Sequence, residues 1–241
     1  MWRARIGVLY PGDGLLDHEF WRLAPDGVGV HITRTTVPRA EVSAKVAHDL
    51  AIDPDIEESA LRYTIDLSSI AFACTSVSFV RGVGGDTEII ERIEKATGVP
   101  ATTTSTAAVN ALRALGVARV AVATPYVNEI NVKLEEFLQG HGFHVSELKG
   151  MQLGSDIGLV PAAEVYRFVK GLRHSDTEAI FISCTNFVTV GILDALEQDL
   201  GLPVISANQV TMWEALNLAG VKPCQPGCGS LFSGVSIPLL T

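Results

Sequence analysis

A chain of 241 residues with 47% hydrophobic content is long enough to bury a sizeable core, as one large domain or two small ones. Its formal charge of −9 and lack of any Lys/Arg-rich run exclude nucleic acid and anionic membrane surfaces as partners, since both need concentrated basic surface. No apolar stretch approaches the roughly 18 residues of a membrane span, and the N-terminus runs into a strand pattern rather than a cleavable leader, so a cytoplasmic protein is expected.

The first strand pattern covers residues 5–10 and is stopped by the turn cluster Pro11-Gly12-Asp13-Gly14. A β-branched, partly alternating stretch follows at 31–37, and the apolar spacing of 56–67 predicts a helix. Residues 70–73 are apolar at every position, as in a strand buried on both faces of a parallel sheet, and they end in Cys74-Thr75-Ser76. Residues 78–85 read as a loop. The glycines at 82, 84 and 85 are not a dinucleotide fingerprint, because the third spaced glycine is missing and no strand leads in, so no cofactor is expected there. A helix then places Ile89, Ile90, Ile93 and Ala96 on one face and stops at Gly98.

The second half repeats this rhythm, with helix 106–115, strand 119–123 and helix 127–138. Pro161 opens a helix whose apolar face is Val165, Phe168, Val169 and Leu172. A strand ending in Ser183-Cys184-Thr185-Asn186, a helix to Leu200, a strand at Val204 and a last helix over 210–219 complete the chain. Three landmarks recur in one order. Cys74-Thr75 returns 110 residues later as Cys184-Thr185, Pro11 returns 114 later as Pro125, and Pro100 returns 103 later as Pro203. A duplicated unit with altered loop lengths explains this. The expected fold is α/β: two similar lobes with mostly parallel four-stranded sheets, related by approximate two-fold symmetry around a cleft. The lobes are expected at 1–104, completed by 208–241, and at 105–207.

Open α/β sheets bind ligands beyond the C-terminal ends of their strands, which puts Cys74 and Cys184 in one cleft. Thr or Ser after each thiol can cap a following helix, whose N-terminal field is expected to lower the thiol pKa. The same amides and hydroxyls offer a carboxylate a seat without arginine. A cysteine after an apolar run also serves as a small buried hydrophobe, but two independent core cysteines need not share one polar exit. Two thiols on opposite faces of a carbon permit addition or proton transfer without metal or organic cofactor. Cys224 and Cys228 lack a second ligand pair for zinc and read as structural or incidental.

On Cys74 to Phe79, Thr102 to Ala107, Ala111 to Val117, Thr124-Pro125-Tyr126, Cys184-Thr185-Asn186 and Pro226 to Phe232, the sequence resembles the aspartate/glutamate racemase superfamily, in its branch of maleate cis–trans isomerases and arylmalonate decarboxylases. The resemblance implies a cofactor-independent isomerase of a small carboxylate or dicarboxylate, with Cys74 adding to the double bond and Cys184 handling the proton. Substrate contacts are implied for Pro11, Thr75, Ser76, Tyr126, Thr185 and Asn186, along with a homo-oligomer, dimer or larger. The decarboxylase branch has glycine at the first thiol, so keeping both favours isomerase or racemase over a decarboxylase-like enzyme. One departure is the first loop, which lacks the isomerases' asparagine and carries Asp13, repulsive to a dicarboxylate unless it points away. Racemases of aspartate, glutamate or hydantoins, and a carboxylate-binding regulatory module with idle thiols, remain the alternatives.

Overall fold

The computed structural model describes residues 2–38, 43–172 and 176–233. The first sheet is built from β1 (Ala4–Pro11), β2 (Val28–Thr35), β3 (Ser69–Phe72) and β4 (Ala101–Thr103). Between them lie α1 (Asp17–Arg22), α2 (Ala44–Ala51), α3 (Asp55–Ala60), α4 (Thr75–Phe79) and α5 (Gly85–Thr97). After α6 (Thr104–Ala114) the pattern repeats with β5 (Arg119–Thr124), α7 (Asn128–Gly140), β6 (His144–Gly150), α8 (Ala162–Lys170), β7 (Ala179–Ile182), α9 (Leu193–Leu200) and β8 (Val204–Ser206), and α10 (Ala207–Leu218) follows. The sheets run β2-β1-β3-β4 and β6-β5-β7-β8, and every pairing is parallel. Two parallel sheets of identical strand order are the architecture the three recurring landmarks predict.

β3 and β7 occupy interior positions and are buried at all four residues, which explains the unbroken apolar runs at 70–73 and 179–182. Their side chains alternate between cores: Ala71 joins the large cluster that runs through both sheets, while Ile70 and Phe72 join a smaller one with Leu9, Ile89 and Ile93 beneath α2, α3 and α5. α10 packs against α6, β3 and β4. Among the described residues, no helix is long and apolar enough to cross a membrane.

Some elements differ from their sequence expectations. The helix expected over 56–67 ends at Ala60, and Tyr63 beyond it turns inward so that its hydroxyl donates to the carbonyls of Val8 and His31. The loop expected from residue 78 begins inside α4, a five-residue helix buried along its whole length. The Ser78 hydroxyl there lies 2.9 Å from the Thr75 carbonyl and 2.6 Å from the Ser105 hydroxyl on α6. Pro161 precedes α8 rather than occupying its first turn. Residues 234–241, included in the expected first lobe, lie outside the described residues.

Because all strands of a sheet point one way, the exits of β1, β3, β5 and β7 gather at the cleft. Polar ties join the two sheets there. The Thr185 hydroxyl donates to the Ala73 carbonyl at 3.0 Å, and the Tyr10 hydroxyl donates to the Thr185 carbonyl at 3.0 Å. Glu19 on α1, buried, accepts from the backbone N–H of Thr189 and Val190 and from Asn208 Nδ2, at 2.7, 2.8 and 2.7 Å. Burial raises its pKa, and these three donors oppose the rise.

Candidate active site

A cavity of about 750 Å³ opens where the strand exits converge. Pro11, Cys74, Thr75, Ser76, Tyr126, Cys184, Thr185 and Asn186, the full set of residues expected from the sequence, line it together. Cys74 is half-buried and Cys184 buried, both as free thiols. Despite their twin positions in sequence, the two differ in backbone. Cys74 is extended (φ −138, ψ 103) and forms the N-cap of α4. Cys184 has φ +93 and leads into a turn closed by a hydrogen bond from Phe187 N–H to its carbonyl. That conformation costs a non-glycine residue about 1–3 kcal/mol, and such strain concentrates at functional sites.

The expected fall in thiol pKa is corrected by this geometry. Burial pushes the Cys74 thiol up to about 12; the Val77 N–H and Ser76 hydroxyl favour the thiolate, while the charges of Asp13 and Cys184 oppose it. Burial likewise pushes Cys184 up to about 11, against hydrogen bonds from the Asn186 N–H and the Tyr126 hydroxyl. No α-helix starts directly after Cys184, and after Cys74 a single turn of donors does not outweigh desolvation. Both thiols are therefore protonated near neutral pH.

Three neighbours shape what the thiols can reach. Thr75 is buried and its Oγ1 has no hydrogen-bond partner, in a cavity wall. A buried hydroxyl left without a partner is costly. Tyr126 is buried beside Cys184, and burial is the largest cause raising its phenol pKa, so it presents a neutral O–H donor. Its loop is rigid, because Asn131 Nδ2 donates to the Tyr126 carbonyl while Asn131 Oδ1 accepts from Thr124 Oγ1 at 2.6 Å. Gly150 packs against that loop, where a Cβ would collide with the Tyr126 carbonyl and Asn131 Nδ2. The Asn186 side chain faces the first loop: Oδ1 accepts from Leu15 N–H at 2.9 Å and Nδ2 donates to the Asp13 carbonyl at 3.2 Å.

The matching family model is that of arylmalonate decarboxylase, over residues 45–232. The chain belongs to the arylmalonate decarboxylase family. It is 29% identical over 235 residues to the arylmalonate decarboxylase of Bordetella bronchiseptica, covering 94% of this chain and 95% of that one. It shares its fold with a cysteine-to-alanine variant of the maleate isomerase of Pseudomonas putida S16 with maleate, at TM-score 0.91 and 22% identity, covering 98% and 99% of the two chains. It shares it too with a cysteine-to-serine variant of the maleate cis–trans isomerase of Nocardia farcinica bearing a covalently bound succinylcysteine intermediate, at TM-score 0.88 and 21% identity, covering 97% and 99%.

This member of the arylmalonate decarboxylase family also lines its cavity with residues that sequence reasoning missed. Val37, Pro38 and Leu50 form an apolar arm after β2, with Arg34 beside them, and residues 154–159 supply the opposite lip after β6. The duplication carried the signal for them, since β2 and β6 hold equivalent places in the two sheets. Asp13, expected to be harmless only if directed away, lines the cavity. Cys224 is exposed and Cys228 buried, both outside the cavity wall, and among the described residues no group of three His, Cys, Asp or Glu is placed to hold a metal ion.

Proposed function

We propose that the protein is a cofactor-independent isomerase of a small carboxylate, of the maleate cis–trans isomerase type, with Cys74 as nucleophile and Cys184 as proton donor and acceptor. The observation that carries this reading is two free thiols at twin strand exits in one cavity. The family membership and the names of the relatives support it.

Thr75, Ser76 and Tyr126 hold one substrate carboxylate by hydrogen bonds. The Cys74 thiol gives its proton to solvent water at the open mouth of the cavity as substrate binds, regaining one when product leaves, and the resulting sulfur anion shares its electron pair with one alkene carbon. The π pair moves to the neighbouring carbon and takes the proton of the Cys184 thiol, which becomes thiolate. Carbon–carbon rotation is then free. The Cys184 thiolate removes that proton, the C–H pair restores the double bond, and the C–S pair returns to Cys74. The Asn186 backbone N–H, which favours the Cys184 thiolate, eases its turn as base.

A second reading, racemisation, is favoured by the same pair of thiols, because each can serve one face of an α-carbon. Turnover of maleate, of its half-amide and of chiral α-substituted acids, followed by proton NMR with detection of released CO2, separates isomerase, racemase and decarboxylase. Cys74→Ala and Cys184→Ala are each expected to abolish turnover with thermal unfolding unchanged. Appreciable activity in either variant would remove the two-thiol mechanism.

A further inference from the structure

The proposed reaction gives no task to Asp13, yet the fold holds it firmly at the cavity. Gly14 N–H closes the turn onto the Pro11 carbonyl, Gly12 N–H donates to the Thr35 carbonyl, and the Asn186 amide clasps the loop at the Asp13 carbonyl and the Leu15 N–H. The turn is also packed from beneath, since a Cβ on Gly14 would strike the Tyr10 ring. Among the described residues the Asp13 carboxylate has no ion pair and no hydrogen-bond donor, and it lines the same cavity as the thiols. Its charge reaches both of them, adding to the rise of each pKa.

The cations of the cavity do not offset it. Arg34 is held by both oxygens of Asp17 at 2.8 Å, and Arg62 by Asp55 at 3.2 Å. The opposite lip adds a second carboxylate without an ion pair, Asp156, which accepts a hydrogen bond from Ser155 Oγ at 3.0 Å. The cavity therefore sets the hydroxyl residues Thr75 and Ser76 beside the first thiol and carboxylates without ion pairs, Asp13 and Asp156, elsewhere.

We propose that Asp13 makes this site select monocarboxylates whose second polar end is an N–H donor, a carboxamide or an ammonium, in place of the second carboxylate of a four-carbon dianion. The proposal rests on the isomerase reading for the chemistry but not for the selectivity. A second carboxylate would meet like charge in a partly desolvated cleft, whereas an N–H donor would form a charge-assisted hydrogen bond to Asp13.

The test uses saturated four-carbon ligands that do not react with thiols, so that binding is read without turnover. Succinate, succinamate and 4-aminobutanoate are titrated calorimetrically into the wild type and Asp13→Asn. The wild type is expected to bind one of the two N–H ligands at least about tenfold more tightly than succinate, since like-charge juxtaposition is strongly disfavoured. Whichever binds more tightly identifies amide or ammonium. Asp13→Asn is expected to bring succinate within about threefold of that ligand, as negative selection is removed. Asp13 is exposed, so the variant should fold, and Asp13→Ser serves as a second. Succinate binding most tightly to the wild type, an unchanged ratio in both variants, or no binding of any of the three would overturn the proposal. Failure of the isomerase reading leaves these ratios standing, and failure of the selectivity leaves a thiol adduct with an alkene substrate detectable.

Discussion

Thr75→Val is the substitution that best separates a binding role from a structural one. The residue lines the cavity, and its Oγ1 is buried without a partner. Valine keeps the branched shape and removes the hydroxyl. In the free protein nothing is lost, because no hydrogen bond is broken, and a buried unsatisfied group worth about 1–3 kcal/mol of penalty disappears. Stability should therefore hold or rise. In the complex, one hydrogen bond to a charged carboxylate is lost, worth about 1.5–3 kcal/mol, or about tenfold to 150-fold in kcat/KM. Chemical denaturation and steady-state kinetics on one preparation read both quantities. A variant destabilised by more than about 1 kcal/mol with unchanged kcat/KM would refute the reasoning, since Thr75 would then serve the fold and not the ligand.

Tyr126→Phe should also lower kcat/KM by about 1.5–3 kcal/mol, the worth of one hydrogen bond to a charged group; an unchanged value on the true substrate removes Tyr126 from the site. Alkylation of Cys74 by iodoacetamide should rise tenfold per pH unit from 7 to 10, because its pKa is pushed from 9.0 up to about 12, and a plateau near pH 8 would show a thiolate already formed. The same shifts have a stability consequence. The folded state holds these two protons more tightly than the unfolded chain, so stability is full below pH 9 and falls as pH rises from 9 toward 11 for Cys184 and toward 12 for Cys74, by up to about 1.4 kcal/mol per unit for each thiol. Cys74→Ala should flatten that fall, and an identical pH profile in wild type and variant would count against it.

The strand exits were legible because burial on both faces leaves an unbroken apolar sequence, as at 70–73 and 179–182, and because duplication repeats the polar residues that end it. β6 was not legible. It is an edge strand, half-exposed for much of its length, and carries Glu147 and Lys149, so the apolar pattern is diluted. α1 and α4, at six and five residues, are too short for a helical period to show. The thiol pKa values were misjudged because adjacency to a helix start is visible in sequence, whereas the desolvation that outweighs it comes from residues distant in the chain. For Asn186, position beside Cys184 was readable, but the first loop that engages its amide, more than 170 residues away, was not.

Carbon–sulfur bond formation at Cys74 is the central claim, and intact mass spectrometry tests it most directly. The protein is exposed briefly to maleate and to its half-amide, then quenched and weighed. One adduct should appear, on Cys74 by peptide mapping, with none in Cys74→Ser and a longer-lived one in Cys184→Ala. Absence of any adduct, with solvent deuterium entering the α-carbon of a turned-over acid instead, would contradict addition and make Cys74 and Cys184 a pair of proton-transfer residues.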